Sequence, residues 1–133
     1  MKLIREINDD VVFNSASEVY KYLKEFSNED REYFIVIGLN TKNQPVFREI
    51  VTIGLLNSSQ VHARETFKKS IMMSCNAIII AHNHPSGDPE PSIEDHKVTE
   101  SLKKAGDILE IPILDHVVVG RNSYYSFKDN GEL

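Results

Sequence analysis

One stretch constrains this chain more than any other. An apolar run, Ala77-Ile78-Ile79-Ile80, leads directly into Ala81-His82-Asn83-His84-Pro85-Ser86-Gly87-Asp88-Pro89-Glu90-Pro91-Ser92-Ile93-Glu94-Asp95. A short β-branched run of this kind reads as a buried strand. Side chains alternate faces along a strand, so His82 and His84 project the same way, about 6–7 Å apart along the backbone. Pro85, Ser86 and Gly87 stop the strand and turn the chain, and Pro89 and Pro91 stiffen the loop beyond. Ser92 stands at the N-cap of a helix, with Asp95 three residues on. That places Asp95 in the first helical turn, whose positive end favours an ionised carboxylate. Two imidazoles from a strand end and one carboxylate from a helix start form a three-donor set with an open fourth position. This is the pattern of a catalytic zinc site, not of a closed structural one. A lone histidine at a strand end is usually no more than a hydrogen-bonded group; two on one face with a well-placed aspartate are less easily dismissed.

The rest of the chain sets bounds on that reading. A length of 133 residues suits one domain, spanning 1–133, with enough chain to bury a core. Fifteen Lys and Arg against twenty Asp and Glu leave a formal charge of −5. Broad nucleic-acid binding needs clustered cations, so duplex DNA is an improbable partner for this domain alone. The single Cys75 cannot form an internal disulfide and reads as a small buried hydrophobe, which agrees with a reducing cytoplasm. Met1 to Glu6 lacks the apolar core of a signal peptide, and no run approaches membrane-spanning length.

Periodicity gives an order of elements. Residues 3–13 form a short extended segment. Ser15 with Glu18 makes a capping box for a first helix through Val19, Tyr22, Leu23 and Phe26, ending near Ser27-Asn28. Tyr33 to Leu39 is a strand, and Val46 to Ile53 returns beside it as a hairpin. A second helix comes after Val61–Glu65, with Phe67, Ile71 and Cys75 on one side and Lys68 and Lys69 on the other. A third helix runs from Ile93 to Ala105, with Gly106 as its stop. Ile108 to Ile111 and a kink at Pro112 precede a strand over Ile113–Val119, and a last strand covers Tyr124–Phe127. Such an order predicts an α/β (α+β) fold with a mixed, largely antiparallel curved sheet flanked by helices.

The string His-x-His-Pro, with Ser92 and Asp95 at their distances downstream, resembles the metal-binding signature of the JAB/MPN (JAMM) metalloprotease superfamily. His-Asn-His-Pro-Ser-Gly-Asp-Pro and Leu114-Asp115-His116 are similar to its RadC branch, and the resemblance extends from about Ser15 to Phe127. It implies a three-layer, cytidine-deaminase-like fold in which His82, His84 and Asp95 bind zinc and the fourth position holds water. It also implies an upstream glutamate as general base, a place that Glu32 matches; Glu49 and Glu65 are rivals. Ser92 would cap the helix and help to stabilise an oxyanion. The activity implied is hydrolysis of peptide or isopeptide bonds in a peptide or protein substrate. The alternative is a DNA-repair-associated accessory factor, with or without hydrolase activity, because the RadC branch carries a name tied to DNA repair. Its longer members have a helix-hairpin-helix region that this sequence lacks, which weighs against that role.

Other polar residues have weaker assignments. Asn83 faces away from its flanking histidines and reads as a structural hydrogen-bonder. Asp88 lies in the loop beside the donors and could support them. Asp115 and His116 face opposite ways on one strand and cannot easily share an ion, so the pair suits holding the fold better than supporting the site. His62 and Arg64 are candidates for a substrate groove, and His96 leaves the helix on an exposed face.

Overall fold

The computed structural model describes residues 3–7 and 10–133. Its elements in chain order are β1 (Ile4–Glu6), α1 (Ala16–Tyr22), β2 (Tyr33–Leu39), β3 (Pro45–Ile53), α2 (Ala63–Thr66), α3 (Lys68–Met72), β4 (Ala77–Asn83), α4 (Ile93–Leu109), β5 (Ile113–Val119) and β6 (Tyr124–Ser126). A 3₁₀ turn, Lys24–Phe26, follows α1. The six strands form one sheet in the order β1-β3-β2-β4-β5-β6. Every neighbouring pair is antiparallel except β4 and β5, which are parallel and joined by α4 as their crossover. The sheet is therefore mixed and largely antiparallel, as the element order predicts.

Strand alternation builds the three layers. Ile35, Ile37 and Leu39 of β2, Ile79 and Ala81 of β4, and Val117 and Val119 of β5 meet Val19, Leu23 and Phe26 on one face. Phe34, Val36, Ile78 and Ile80 meet Phe67, Val98 and Leu102 on the other. All seven residues of β4 are buried, because helices cover both of its faces. Each fully buried Ile, Leu or Val contributes roughly 1.5–3 kcal/mol of transfer free energy, so the centre of the sheet is where the fold is held. His82 shares its face with Ile78 and Ile80, on the side of α4.

Three expectations are corrected. The second helix is two short pieces, α2 and α3, broken at Phe67, and Ile71 is exposed rather than on a buried stripe with Phe67 and Cys75. The break turns Phe67 inward, where its ring packs close to Gly106 of α4. Gly106 does not stop the third helix, which continues to Leu109. A Cβ there would lie 2.7 Å from the Ile111 carbonyl oxygen and 3.2 Å from the Phe67 ring, so glycine serves close packing. The stop is Glu110, in the left-handed conformation with φ 59°. Among the described residues of the expected N-terminal stretch, only Ile4–Glu6 are in a strand; residues 8 and 9 lie outside the described residues.

Candidate metal centre

The site is assembled where β4 ends, where α4 begins and just ahead of β2. The antiparallel register pairs Phe34 with His82, which brings the residues preceding β2 beside the His82–His84 end of β4. Asn83 fixes that junction. Its Oδ1 accepts from the Tyr33 backbone N–H at 2.8 Å and its Nδ2 donates to the Arg31 carbonyl at 2.8 Å. One buried side chain thus holds the backbone on both sides of Glu32. Gly54 N–H donates to the Glu32 carbonyl at 2.8 Å, fixing the residue from the β3 side.

Helix α4 delivers Asp95 through a reciprocal cap. Asp95 N–H donates to Ser92 Oγ at 3.1 Å, and Ser92 N–H donates to Asp95 Oδ2 at 2.8 Å. That same Oδ2 lies 3.0 Å from His84 Nε2 and 3.2 Å from His82 Nε2. The two Nε2 atoms are 3.0 Å apart, and Glu32 Oε1 stands 3.8 Å from His82 Nε2. Glu32, His82, His84 and Asp95 thus each offer a donor atom within 4.8 Å of the others, a group that could hold a metal ion. Among the described residues no other such group of three or more is present. Glu49 on β3 and Glu65 on α2 are outside it, as are His62 and Arg64.

Each imidazole is held by its other nitrogen. His84 Nδ1 is 2.8 Å from the Asp88 carbonyl, which can only accept, so this nitrogen carries the hydrogen. Asp88 thus supports the site, through its backbone; its carboxylate accepts from Glu90 N–H instead. His82 Nδ1 is 2.8 Å from His116 Nε2, and His116 Nδ1 is 2.5 Å from Thr99 Oγ1. Thr99 Oγ1 donates to the Asp95 carbonyl at 2.7 Å. Asp115 points to the opposite face and accepts from Ser126 Oγ, His116 N–H and Lys128 N–H. The pair on β5 therefore divides: His116 touches the site and Asp115 ties strands together. His96 is half-buried and paired with Glu132 at 3.0 Å rather than free on the surface. Thr99 is not singled out by the sequence; its only signal is a position one turn after Asp95 on the same helix face.

The electrostatics agree with the crowding. Burial by itself would raise the Asp95 carboxyl, but the His82 and His84 imidazoles set against it hold it far below the usual carboxylate range. Burial pushes His82 down, against the pull of Asp95. For His84 burial acts in the same downward sense, but Asp95 and the Asp88 carbonyl outweigh it and the net shift is upward. Glu32 is raised, mainly by burial and also by the Asp95 charge, against His84 and a hydrogen bond from the Leu56 backbone. Burial, and then the neighbouring His82, drive His116 well below the ordinary histidine value.

A three-layer fold with this cluster at the joint of strand end and helix start defines the class as a JAB-type domain. The family of RadC-like JAB domains matches residues 13–132, and the chain belongs to it. It is 50% identical over 119 residues to a UPF0758 protein of Chlorobium phaeovibrioides, covering 89% of this chain and 53% of that protein. It is 48% identical over 123 residues to a UPF0758 protein of Desulfitobacterium hafniense, covering 92% of this chain and 54% of the relative. A UPF0758 protein of Thermotoga maritima is 43% identical over 120 residues, covering 90% and 54%. The chain therefore spans about half the length of these relatives. Among the described residues no helix is long and apolar enough to cross a membrane.

Proposed function

We propose that the chain is a zinc-dependent hydrolase of amide bonds, of the metallopeptidase or isopeptidase type. One observation carries the reading. Both histidines turn Nδ1 to other partners, so two Nε2 atoms and an Asp95 carboxylate oxygen converge at 3.0–3.2 Å from one another. Three electron-rich atoms at that spacing repel unless a cation lies among them. Zinc bonds of about 2.0–2.2 Å place tetrahedral donors about 3.3 Å apart, so the set fits a zinc ion closely. Imidazole nitrogen and carboxylate oxygen are also the donors that zinc takes in catalytic sites.

In this reading His82, His84 and Asp95 hold the metal and Glu32 is the general base. When bound, zinc supplies Lewis acidity and makes hydroxide available near neutral pH. Glu32 takes a proton from the attacking water and returns it to the leaving amine. Its carboxylate is beside the donor set, and the Asn83 bonds fix its backbone, so its approach is set by the fold. Ser92 is exposed at the mouth of the site. Its oxygen accepts from Asp95 N–H, which leaves its own hydrogen to donate to an oxyanion in the substrate.

Elemental analysis of the purified protein tests the metal, and a peptide library tests the reaction. One zinc per chain is expected, with cleavage that stops on chelation and returns with zinc. Protein that carries no zinc, and takes up none when metal-free, overturns the reading.

A further inference from the structure

We infer that His116 and Thr99 are positioning residues. With the Asp95 carbonyl as its fixed pole, they form a one-way hydrogen-bond chain that locks His82 in the tautomer with a bare Nε2. The chain runs from the Asp95 carbonyl to Thr99 Oγ1 (2.7 Å), to His116 Nδ1 (2.5 Å), and from His116 Nε2 to His82 Nδ1 (2.8 Å). Each of these residues is buried: His82 and His116 at 0%, Asp95 at 1% and Thr99 at 3%. Water is thus shut out, and every hydrogen in the chain must be supplied by its members.

Two directions are possible in principle. In the reverse one, Thr99 gives its hydrogen to His116 Nδ1, His116 Nε2–H donates to His82 Nδ1, and His82 is left carrying hydrogen on Nε2. That arrangement presses two oxygens together at 2.7 Å, the Asp95 carbonyl and Thr99 Oγ1, with no hydrogen between them. A carbonyl can only accept, so it takes the single Thr99 hydrogen. Thr99 must then accept from His116 Nδ1–H, His116 Nε2 is left to accept from His82 Nδ1–H, and His82 Nε2 is bare. The Phe127 ring, stacked on His116 at 4.6 Å and 8° between planes, keeps the imidazole in the orientation this requires. Asp95 thereby acts twice, its carboxylate among the donors and its carbonyl setting the hydrogen placement of a neighbouring donor three links away. The sequence hides this, because Asp95, Thr99 and His116 come together only when α4 packs over β5.

The inference rests on the proposed zinc reading only for its consequence, that His82 is ready to bind without first moving a proton. Two measurements keep them distinguishable. Long-range ¹⁵N–¹H correlation of the metal-free protein, well above the imidazole range, reads the tautomers directly. Hydrogen on Nδ1 of both His82 and His116 is expected; hydrogen on Nε2 of either overturns the inference, whether or not zinc binds. The second measurement is zinc affinity by chelator competition on Thr99→Val, which keeps the shape but removes the link. Outer hydrogen-bond partners of metal ligands are typically worth about 10–100-fold in affinity. A loss in that range is expected for Thr99→Val, together with the appearance of Nε2–H on His82, and Thr99→Ser should restore both. His116→Phe, which preserves the stack on Phe127, should lose as much. A folded Thr99→Val protein that binds zinc as tightly as the unaltered chain, with His82 still in the Nδ1–H form, overturns the inference. If His116→Phe fails to fold, the Thr99 pair and the spectrum of the unaltered protein decide the matter. Absence of zinc binding in the unaltered chain counts against the zinc reading alone, and the tautomer spectrum still decides the hydrogen-bond chain.

Discussion

Asp115 and His116 are neighbours on β5 and both are buried, yet they belong to different parts of the molecule. Asp115 faces the α1 side and collects hydrogen bonds from Ser126, Lys128 and the His116 backbone, tying β5 to β6 and the segment after it. His116 faces the α4 side, where its ring bridges His82 and Thr99. Burial and ionisable chemistry are shared; what separates them is the two-residue period of a strand. The same rule separates Asn83 from its flanking histidines on β4. One face of this sheet end is committed to the donor set, and the other holds the strands and loops that aim it.

The comparison can be broken from either face. The largest effect is expected on the α4 face from His84→Ala, which removes a donor: zinc content should fall to background and hydrolysis with it. Retained stoichiometric zinc in that variant would show that the ligand set is wrong. Next comes Glu32→Gln, which should keep one zinc per chain while turnover falls about 10²–10⁴-fold, the usual worth of a proton-transfer group. Metal loss in Glu32→Gln would instead make Glu32 a fourth ligand.

On the opposite face, Asp115→Ala leaves three donors without their acceptor. Each unsatisfied buried group costs about 1–3 kcal/mol, so a destabilisation on the order of 3 kcal/mol is expected from the shift in denaturant midpoint. Zinc per folded chain should stay unchanged. A folded Asp115→Ala protein that cannot hold zinc would mean the two faces are not separable as described. The smallest effects belong to the remaining glutamates. Glu65 is exposed, and Glu49 is raised chiefly by burial, against nearby Lys69 and Lys68, on a strand beyond the donor set. Glu65→Gln should leave both turnover and stability within about 0.5 kcal/mol of the unaltered chain. Glu49→Gln should leave turnover intact even if stability moves, and loss of turnover there would displace Glu32 as the base.

Much of the site is legible in the sequence because its parts are local. His82, His84, Ser92 and Asp95 fall within fourteen residues, and the periods of one strand and one helix cap suffice to place them relative to one another. The sheet elements are legible for the same reason: Tyr33–Leu39 is an apolar run rich in β-branched residues, Ile113–Val119 ends in one, and each reads as a buried strand. Glu32 comes from the family resemblance; the Phe34–His82 register brings the residues ahead of β2 beside the donor set.

Where local pattern and structure part, a distant partner has overridden a local preference. Gly106 has the residue type of a helix stop, but the Phe67 ring and the Ile111 carbonyl leave no room for a Cβ, so it lies inside the helix and Glu110 ends it. The apolar spacing of Phe67, Ile71 and Cys75 suggests one helix, but burying Phe67 against α4 breaks it in two. Asp88 supports the donors as its place in the loop suggests, but does so through a carbonyl that every residue possesses. The sequence by itself determined which groups could bind a cation, because periodicity fixes side-chain direction over a few residues. Tertiary structure alone decided which nitrogen of each histidine is free to do so, because hydrogen placement depends on acceptors that packing brings from elsewhere in the chain.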